Sequence, residues 1–241
     1  NDTMKNIRLY QNKVFKVGGE AVLDKEAQHH LLKVLRFPIG SMITLFNGDG
    51  YDYVVKIVSV KRACKVEVNT KKENNSESSL DLTLAQGIAK GEKMDLLIQK
   101  AVELGVNRII PLQTERCVVR LKGEKIAKRI EHWQKIAHHA CAQSGRAVIV
   151  EVDTQKTLSE LLSVKAPNGF VLHHQATNKL SDIKPTSIAT ILIGPEGGLS
   201  DQEIELANGA GFQSILLGKR VLRTETASLA AIANMQLLWG S

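Results

Sequence analysis

The chain has 241 residues, 43% of them hydrophobic and 24% charged, which suits one large globular domain or two small ones. Its formal net charge of +7 favours an acidic partner, nucleic acid first, although an ordinary soluble surface can carry the same excess. No apolar run reaches the ~18 residues of a membrane span and no secretory signal pattern opens the chain, so we expect a cytoplasmic protein. Asn1–Thr3, which precede Met4, are either native residues or a remnant of an expression vector.

The first part of the chain is rich in short β-patterned segments. They are Ser41–Phe46, Tyr51–Val60 and Cys64–Val68, and the turn signal NGDG at Asn47–Gly50 predicts a hairpin between the first two. One helix is predicted over Asp24–Arg36, because the chain then meets a Phe-Pro pair that disfavours helix. This half therefore predicts a small β-barrel domain with a single helix.

Basic residues accompany these elements. The predicted helix carries His30, Lys33 and Arg36, and Arg8 lies ahead of it in the chain. Together these residues predict a surface that binds the phosphate backbone of a nucleic acid. Scattered surface charges without a binding role are the alternative interpretation.

A polar run without apolar residues, Lys71–Ser79, separates this half from the next. Beyond it strands alternate with helices, which is typical of an α/β domain with a mostly parallel sheet. We place one domain at residues 1–72 and the other at residues 80–241. The predicted strands are Leu80–Gln86, Arg108–Leu112, Gly169–His174, Ile188–Gly194 and Phe212–Gly218. The predicted helices are Glu92–Leu104, Ile126–Ser144, Ser200–Ala207 and Glu225–Leu238.

The cysteines and histidines give no metal pattern. Cys64, Cys117 and Cys141 are far apart and odd in number, which favours reduced thiols over a disulfide framework. His138 and His139 share a predicted helix with Cys141, but Cys141 falls on the apolar stripe of that helix and is predicted to lie in the core. No set of four ligands with zinc spacing occurs in the sequence, so we expect no metal site.

A first strong signal is ATILIGPEGGLSDQEIE, at Ala189–Glu205. An apolar strand ends in a Gly-Pro-Glu-Gly-Gly loop, and Ser200 and Glu203 have the spacing of a capping box at a helix start. Glycines there let backbone N–H groups approach a ligand, but phosphate fits badly because the loop carries Glu196 and lacks the lysine of a phosphate cradle. A neutral or cationic ligand held by backbone groups is the favoured interpretation. A tight turn whose glycines serve only geometry is the alternative.

A second signal is LLGKRVLRTETAS, at Leu216–Ser228. A strand ends, exposed cations follow, and Arg220, Arg223 and Glu225 meet at the start of the next helix. Ligands of parallel sheets bind at the carboxyl ends of the strands, so both loops and the His-His pair that ends an earlier strand predict one site. In the alternative interpretation, Arg223 and Glu225 pair with each other and the helix caps itself.

These blocks, with KGEKMDLLIQKAVELGVNRIIPLQTERCVV at Lys90–Val119 and AQSGR at Ala142–Arg146, closely resemble the bacterial ribosomal RNA uridine N3-methyltransferases of the SPOUT superfamily. The likeness spans most of the chain, because HHLLKVLRFPIGSMITLFNGDG also resembles the PUA-like RNA-binding domain of that family. Several blocks in the same order are more specific than a lone glycine motif. The sequence departs from the family at His139 and Ala142, where acidic residues are expected, and this departure concerns a surface rather than the chemistry.

The resemblance implies a deep trefoil knot in the C-terminal domain, S-adenosylmethionine (SAM) bound by the knotted loops, and a homodimer with the site at its interface. SAM presents a neutral adenine and a sulfonium cation and carries no phosphate, which agrees with a loop that holds Glu196. The implied substrate is 16S ribosomal RNA, either free or in the small ribosomal subunit. The implied cofactor-binding residues are Leu172, His173, Gly194, Pro195, Glu196, Gly197, Gly198, Leu217, Gly218, Leu222, Thr226 and Ala227.

The implied reaction, methylation of uracil N3, requires loss of an imide proton and leaves negative charge on the neighbouring carbonyl oxygens. A fixed cation lowers that barrier, and Arg223 is the predicted stabilising residue. Glu225 either takes the proton or orients Arg223; we favour orientation, because a carboxylate beside two arginines is a poor base. Arg8 and Arg36 are the predicted RNA-positioning residues of the other domain.

Two other functions stay open at the level of sequence. One is a ribosome assembly factor that binds RNA without catalysis, and the other is a methyltransferase that acts on ribose or on a transfer RNA base. All of these functions predict salt-sensitive RNA binding, so RNA binding does not distinguish them. Cofactor binding does, because the enzymes need SAM and the assembly factor does not.

Overall fold

The computed structural model describes residues 7–166 and 168–240. The chain divides into two compact units, one formed by Asn1–Glu77 with Cys141–Ile149 and the other by Ser78–Ala140 with Val150–Ser241. The two interpretations of residues 1–3 fall outside the described ranges. Within those ranges, no helix is both long enough and apolar enough to cross a bilayer.

The N-terminal unit is built on a five-stranded sheet. Its strands are β1 (Arg8–Tyr10), β2 (Glu20–Val22), β3 (Met42–Phe46), β4 (Tyr51–Ser59) and β5 (Lys65–Glu73). Their spatial order is β1-β3-β4-β5-β2, with β1 parallel to β3 and the other pairs antiparallel. The hairpin predicted from NGDG joins β3 to β4, and the expected small β-rich domain is confirmed.

The helix of this unit widens towards its end. Helix α1 (Lys25–His29) begins after Asp24, whose carboxylate accepts a hydrogen bond of 2.8 Å from the Ala27 N–H. The sequence predicts one continuous α-helix here, but His30–Val34 form a π-helical turn, and this turn buries Leu31. The helix and the sheet of this unit share one hydrophobic core. It comprises Phe15, Leu23, Ala27, Leu31, Ile43, Leu45, Tyr53, Val55, Ile57, Cys64, Val66 and Val68.

Strand β5 extends further than the sequence predicts. Lys71–Glu73, assigned from the sequence to a polar linker, pair instead with Tyr51–Tyr53 of β4. The Lys71 Nζ atom lies 3.7 Å from the centroid of the Tyr51 ring, which is a cation–π contact. Backbone pairing and this contact stabilise a strand end that contains no apolar residue.

The C-terminal unit is built on a sheet in which every pairing is parallel, as predicted. Its strands are β6 (Asp81–Gly87), β7 (Arg108–Gln113), β8 (Glu151–Val152), β9 (Lys156–Thr157), β10 (Gly169–Leu172), β11 (Ile188–Ile193) and β12 (Gln213–Ile215). The spatial order is β12-β10-β11-β6-β7-β8, and β9 also pairs with β7. Strands β6 and β11 lie in the middle and are nearly continuous apolar runs, because parallel sheets are covered on both faces.

Helices supply those two covers. They are α2 (Glu92–Glu103), α3 (Glu124–Ser144), α4 (Leu158–Leu162), α5 (Asp201–Gly209) and α6 (Thr224–Trp239). Helices α2 and α6 contact each other, and α6 contacts β11. Helices α4 and α5 pack on the sheet through the core residues Ala85, Ile110, Leu112, Leu158, Leu161, Val171, Leu192, Ile204, Ala207 and Phe212.

The apolar stripe predicted for α3 is confirmed. Its buried residues include Trp133, Ala137, Ala140 and Cys141. Cys141 lies in the core and forms no disulfide, and the same holds for the other two buried cysteines, Cys64 and Cys117. Among residues 7–166 and 168–240, no three histidine, cysteine or acidic side chains come together as a metal would require.

Candidate functional site

A cavity of about 350 Å³ lies at the carboxyl edge of the parallel sheet. Its wall is formed where β10, β11 and β12 end and where α6 begins. This volume falls in the usual range for small-ligand sites, and the carboxyl edge is where such sheets bind ligands. The wall comprises residues 172–174, 193–199, 216–218 and 220–222, with Arg116, Ile204, Thr224 and Ala227.

The Gly-Pro-Glu-Gly-Gly loop after β11 doubles back on itself. A Cβ atom at Gly194 would lie 2.7 Å from the carbonyl carbon of Gly198, and Gly198 has a φ of +69°. The Gly198 N–H donates to Pro195 O at 2.9 Å, which closes the turn. At Gly87, the last residue of β6, a Cβ atom would lie 2.5 Å from Pro195 Cδ. Glycine is therefore needed at these positions, because two backbone segments approach closely.

Helix α5 begins with the predicted capping box. Ser200 Oγ accepts a hydrogen bond of 3.2 Å from the Glu203 N–H, and Glu203 Oε2 accepts one of 2.9 Å from the Ser200 N–H. The other oxygen of this buried carboxylate, Oε1, accepts a hydrogen bond of 2.9 Å from the Glu115 N–H. Glu203 thus ties the β7–α3 connection to the start of α5, a role that its spacing alone does not predict.

A buried polar network fixes the loop to α6. Gln86 Nε2 donates to Thr224 Oγ1 at 2.9 Å, and Thr224 Oγ1 donates to Gly194 O at 2.6 Å. Ser228 Oγ lies 2.5 Å from Gln86 Oε1, to which it donates. Sequence reasoning missed these residues. The available signal is a lone glutamine at the end of an apolar strand, and its partners on the loop and on α6 are 108 to 142 residues away.

The carboxylate of Glu196 has partners outside the cavity. Its Oε1 accepts a hydrogen bond of 2.9 Å from the Lys90 N–H and lies 3.7 Å from Lys93 Nζ. The loop therefore adds less negative charge to the cavity than the sequence suggests. Glu196 connects the loop to the start of α2.

Two histidines and two arginines also line the cavity. The His173 and His174 rings meet edge to face, with centroids 5.2 Å apart. Burial, and then the neighbouring His174, lower the pKa of His173 below its usual value, and Asp201 acts in the opposite direction. Arg116 and Arg220 are exposed at the cavity wall. Arg220 belongs to the second predicted loop of the site, whereas the sequence did not assign Arg116 to the site.

The structure brings together nearly all of the predicted cofactor-binding residues. Those that line the cavity are Leu172, His173, Gly194, Pro195, Glu196, Gly197, Gly198, Leu217, Gly218, Leu222 and Ala227. Thr226 is exposed on the first turn of α6 and is not part of the wall. A cavity built from three separate loops favours a ligand site over glycines that serve geometry alone.

The two predicted catalytic residues lie beside the cavity rather than in its wall. Arg223 is exposed and precedes the first residue of α6. Glu225 lies in the first turn, and its Oε2 atom is buried without a hydrogen-bond partner. In the part of the chain that the structure describes, no ion pair or hydrogen bond joins Arg223 to Glu225. The hypothesis that Glu225 orients Arg223 is therefore supported by no contact between them.

The predicted RNA-binding residues of the N-terminal unit fall into two groups. His30, Lys33 and Arg36 are exposed on the π-helical turn and just after it, and Arg36 has a φ of +55°. Arg8 differs, because only 10% of its side chain is exposed.

Arg8 holds the end of α3 within the N-terminal unit. Its Nη1 atom donates to Cys141 O at 3.2 Å and to Ala142 O at 3.1 Å. Its Nη2 atom is paired with Asp52, and it also donates to Arg146 O at 3.3 Å. Carbonyl groups at the end of a helix lack partners inside the helix, so the Arg8 guanidinium acts as their cap.

Two family models match the chain. The model described as an RNA methyltransferase domain covers residues 76–236, and the model described as an RNA methyltransferase PUA domain covers residues 23–69. The parallel sheet with a cavity at its carboxyl edge and the β-rich N-terminal unit agree with both matches. The chain therefore belongs to the family of RNA methyltransferases that these two models describe.

Relatives with one particular name are similar along nearly the whole chain. Ribosomal RNA small subunit methyltransferase E of Buchnera aphidicola (from Acyrthosiphon pisum) is 34% identical over 222 residues, which cover 90% of this chain and 88% of the relative. The protein of the same name from Bacillus subtilis is 32% identical over 233 residues, which cover 91% of this chain and 88% of the relative.

Solved structures give the same picture. Ribosomal RNA small subunit methyltransferase E of Neisseria gonorrhoeae, bound to S-adenosyl methionine, superposes with a TM-score of 0.90 at 40% identity and covers 97% of this chain and 98% of its own. A Legionella pneumophila protein in complex with the cofactor SAM superposes with a TM-score of 0.95 at 39% identity, covering 99% of this chain and 100% of its own.

Proposed function

We propose that this protein transfers a methyl group from SAM to N3 of a uridine in the ribosomal RNA of the small subunit. It is a SAM-dependent ribosomal RNA methyltransferase by family, and the choice of uracil N3 follows the resemblance of its loop sequences. The observation that carries the proposal is one cavity enclosed by the ends of β10, β11 and β12. Ribosomal RNA in the small subunit is a cytoplasmic substrate, so we also propose that location.

The cavity suits SAM in size and in the groups that it offers. Its volume of about 350 Å³ fits a ligand of a few tens of atoms. The backbone N–H groups of Leu217, Gly218 and Leu222 donate to no other group of residues 7–166 and 168–240, so they are available to adenine. Leu172 and Ile193 add apolar surface. Of the predicted cofactor-binding set, Thr226 is the member that this geometry supports least.

SAM supplies an electrophilic methyl group when it is bound. The protein must then hold uracil N3 in line with that group and stabilise the uracil anion left by loss of the imide proton. Arg223 is the proposed cation for this charge, because its side chain is exposed beside the cavity. For Glu225 we propose a role that is completed by a ligand, because its buried Oε2 atom is unpartnered in the described structure. The target base must leave its stack to expose N3.

We propose that residues 1–72 form the RNA-binding domain and residues 80–241 the methyltransferase domain. The family models at residues 23–69 and 76–236 support these bounds. His30, Lys33 and Arg36 are the proposed phosphate contacts, since all three are exposed. Arg8 would act on RNA indirectly, through the turn at residues 141–146 that it holds.

A homodimer is proposed from the surface of α6. The helix has 16 residues and a single charged one, Glu225, so it is apolar on nearly all sides. Ile232 and Met235 are buried, whereas Leu237 is 78% exposed and Leu238 is 41% exposed. A helix that is apolar all round is normally buried, so a second copy of the chain is the proposed cover.

Sedimentation of two charged variants tests this proposal. Leu237→Asp should convert a dimer to a monomer, because a carboxylate cannot be buried unpaired in an apolar interface. Val164→Asp is the matched control, since Val164 is 68% exposed on a connection in the same unit. A monomeric unchanged protein, or equal dissociation of both variants, contradicts the proposed interface.

We also propose the trefoil knot that the resemblance implies. Two contacts support it: α6 packs against the 3-10 turn Leu180–Asp182, which lies in the β10–β11 connection, and Leu216 bridges to Lys179 of that connection. The segment after β12 thus runs along the connection that would enclose it. An experimental density map in which α6 passes outside residues 173–187 would contradict the knot.

Labelled SAM tests the reaction. The purified protein is incubated with it and with small ribosomal subunits that lack the modification, and the RNA is digested to nucleosides. Label in N3-methyluridine is the expected outcome. Label in another nucleoside would identify a methyltransferase with a different target, and cofactor binding without any labelled nucleoside would point to another substrate. Absence of cofactor binding would favour an RNA-binding assembly factor.

A further inference from the structure

The guanidinium group of Arg116 is anchored at the cavity by one nitrogen. Its Nη1 atom donates to Gly197 O at 3.2 Å and to Leu199 O at 3.4 Å. An arginine side chain has five N–H groups, and these two bonds use the two on Nη1. The N–H groups on Nε and Nη2 make no bond to the described residues, and the side chain is exposed at the cavity wall.

Arg116 is carried by a turn that is fixed on both sides. The preceding residue, Glu115, donates its N–H to the buried carboxylate of Glu203. The following residue, Cys117, is buried, donates its N–H to Thr114 O at 3.3 Å, and accepts a bond of 3.4 Å from the Thr114 N–H at Sγ. The position of the arginine is therefore set before any ligand arrives, which reduces the entropic cost of binding.

A second arginine faces the same cavity. Arg220 is exposed in its wall and has no ion pair within the described residues. Arg116 is likewise bonded only to carbonyl groups there. The carboxylate of Glu196, on the same wall, is engaged by Lys90 and Lys93. The exposed part of the cavity wall, here called the rim, thus carries the positive charges of Arg116 and Arg220. Within the described residues, neither arginine forms an ion pair with a carboxylate.

We propose that Arg116 and Arg220 form an anion-binding pair that receives an RNA phosphate next to the target nucleotide. The inference rests on the proposed function and deepens it by naming two residues that the sequence did not predict to bind RNA. An anchored guanidinium with a free edge suits a tetrahedral oxyanion, which can accept two parallel N–H bonds. Both arginines are exposed, so an RNA phosphate can reach them from solvent. The carboxylate of SAM shares this chemistry and is the competing source of the anion.

Binding measurements on glutamine variants distinguish the two sources. Arg116→Gln, Arg220→Gln and the double variant are titrated with SAM by calorimetry, and with a single-stranded fragment of the substrate RNA at several salt concentrations. Arg129→Gln is the control, because Arg129 is an exposed arginine of the same unit outside the cavity wall. We expect RNA affinity to fall about tenfold for each single variant. The slope of log K against log salt should shrink by about 0.7 per arginine, with SAM affinity within twofold of the unchanged protein.

A loss of SAM affinity with an unchanged salt slope would assign the arginines to the cofactor carboxylate and overturn the proposal. If the Arg116→Gln variant binds SAM and RNA with unchanged affinity, Arg116 only stabilises the loop through Gly197 and Leu199, and its part in the proposal is wrong. Arg116→Lys separates charge from shape: the salt slope should be kept, while the KM for RNA rises because the anchored fork is lost. If the unchanged protein binds SAM but neither the RNA fragment nor small ribosomal subunits, both the proposed function and this inference fail. If it binds RNA and methylates a different atom, the proposed target fails while the arginine pair stands.

Discussion

Gln86 and Thr224 are joined by a buried hydrogen bond of 2.9 Å between Gln86 Nε2 and Thr224 Oγ1. The bond links the carboxyl end of the central strand β6 to the first residue of α6, 138 residues later. Thr224 in turn donates to Gly194 O, so the Gly-Pro-Glu-Gly-Gly loop, the strand and the helix share one polar junction. The cavity is shaped by this junction, because Gly194 and Thr224 both line it.

Replacing Gln86 by leucine should loosen the junction. Gln86→Leu leaves the Ser228 hydroxyl without one acceptor and Gly194 O without one donor in a buried site. The expected loss is about 2 kcal/mol in the free energy of unfolding, with SAM affinity several-fold weaker. Urea denaturation and calorimetry measure the two quantities. Gln99→Leu, at an exposed position of α2, is the control and should change neither.

Adding a methyl group at Gly87 is expected to destabilise the fold. In Gly87→Ala the new Cβ would lie 2.5 Å from both Cδ and N of Pro195, and a backbone nitrogen cannot move aside without shifting the loop. We expect a cost of roughly 1–3 kcal/mol in unfolding free energy and weaker SAM binding. Gly209→Ala is the matched control: its Cβ would meet nothing within 4 Å, so stability should stay equal or rise. Equal effects of the two substitutions would show that the close approach at Gly87 is unimportant.

The secondary structure could be predicted wherever local chemistry determines it. The capping box of Ser200 and Glu203 and the hairpin at NGDG are examples, because all the interacting groups lie within a few residues. Strands β6, β7, β10, β11 and β12 were also recognisable as apolar runs, whereas β8 and β9, of two residues each, were missed. Strand β5 was predicted too short because its polar end depends on pairing with β4.

The site was only partly predictable for the same reason. Loop residues that resemble the family blocks line the cavity as expected. The partners of Gln86 on the loop and on α6, and the carbonyl groups that Arg8 caps, lie more than 100 residues away in the chain. Arg116 was missed because its place at the cavity depends on hydrogen bonds to Gly197 and Leu199, which belong to a distant loop. Long-range hydrogen bonds have no periodicity that a single sequence reveals.

His173 should make stability depend on pH. Burial and His174 lower its pKa in the folded protein, so the unfolded chain binds more protons once the pH falls to about 6.5, the ordinary value. Stability is therefore full above that value and is lost as the pH falls through it towards the lowered pKa. The unfolding midpoint of the unchanged protein should drop more between pH 7 and 5 than that of His173→Gln, whereas the two curves run parallel above pH 7. His174→Gln should give an intermediate drop, because burial of His173 remains.

Arg223→Ala should separate catalysis from cofactor binding. The side chain lies outside the cavity wall and makes no capping hydrogen bond, so SAM affinity and stability should be unchanged. Loss of the cation that we propose to stabilise the uracil anion should lower kcat about 10²-fold, by analogy with removal of one oxyanion-stabilising donor. Single-turnover methylation of small subunits measures this. Lys219→Ala removes a neighbouring exposed charge, and a similar loss of rate in that variant would mean that net charge, not a specific contact, is responsible.

A substitution of Arg8 distinguishes a structural role of its side chain from a direct contact with RNA. Its guanidinium caps Cys141 O and Ala142 O and is paired with Asp52, with 10% of the side chain exposed. Arg8→Met keeps the length of the side chain but removes the ionic partner of Asp52 and the hydrogen bonds that Arg8 donates to three carbonyl groups in a half-buried site. The expected cost is on the order of 3 kcal/mol in unfolding free energy, because the partner charge stays behind. Faster hydrogen exchange should be confined to the amides around residues 141–146 and their neighbours in the N-terminal unit.

The exposed Lys16 supplies the comparison for this substitution. Lys16→Met removes the same charge without a buried partner, so its unfolding free energy should change by less than about 0.5 kcal/mol. If Arg8 contacted RNA phosphate directly, Arg8→Met would reduce the salt slope of RNA binding by about 0.7 while leaving exchange at residues 141–146 unchanged. The capping geometry leads us to expect the reverse: faster exchange with an unaltered slope. An Arg8 variant with native stability and a reduced slope would restore the direct RNA contact.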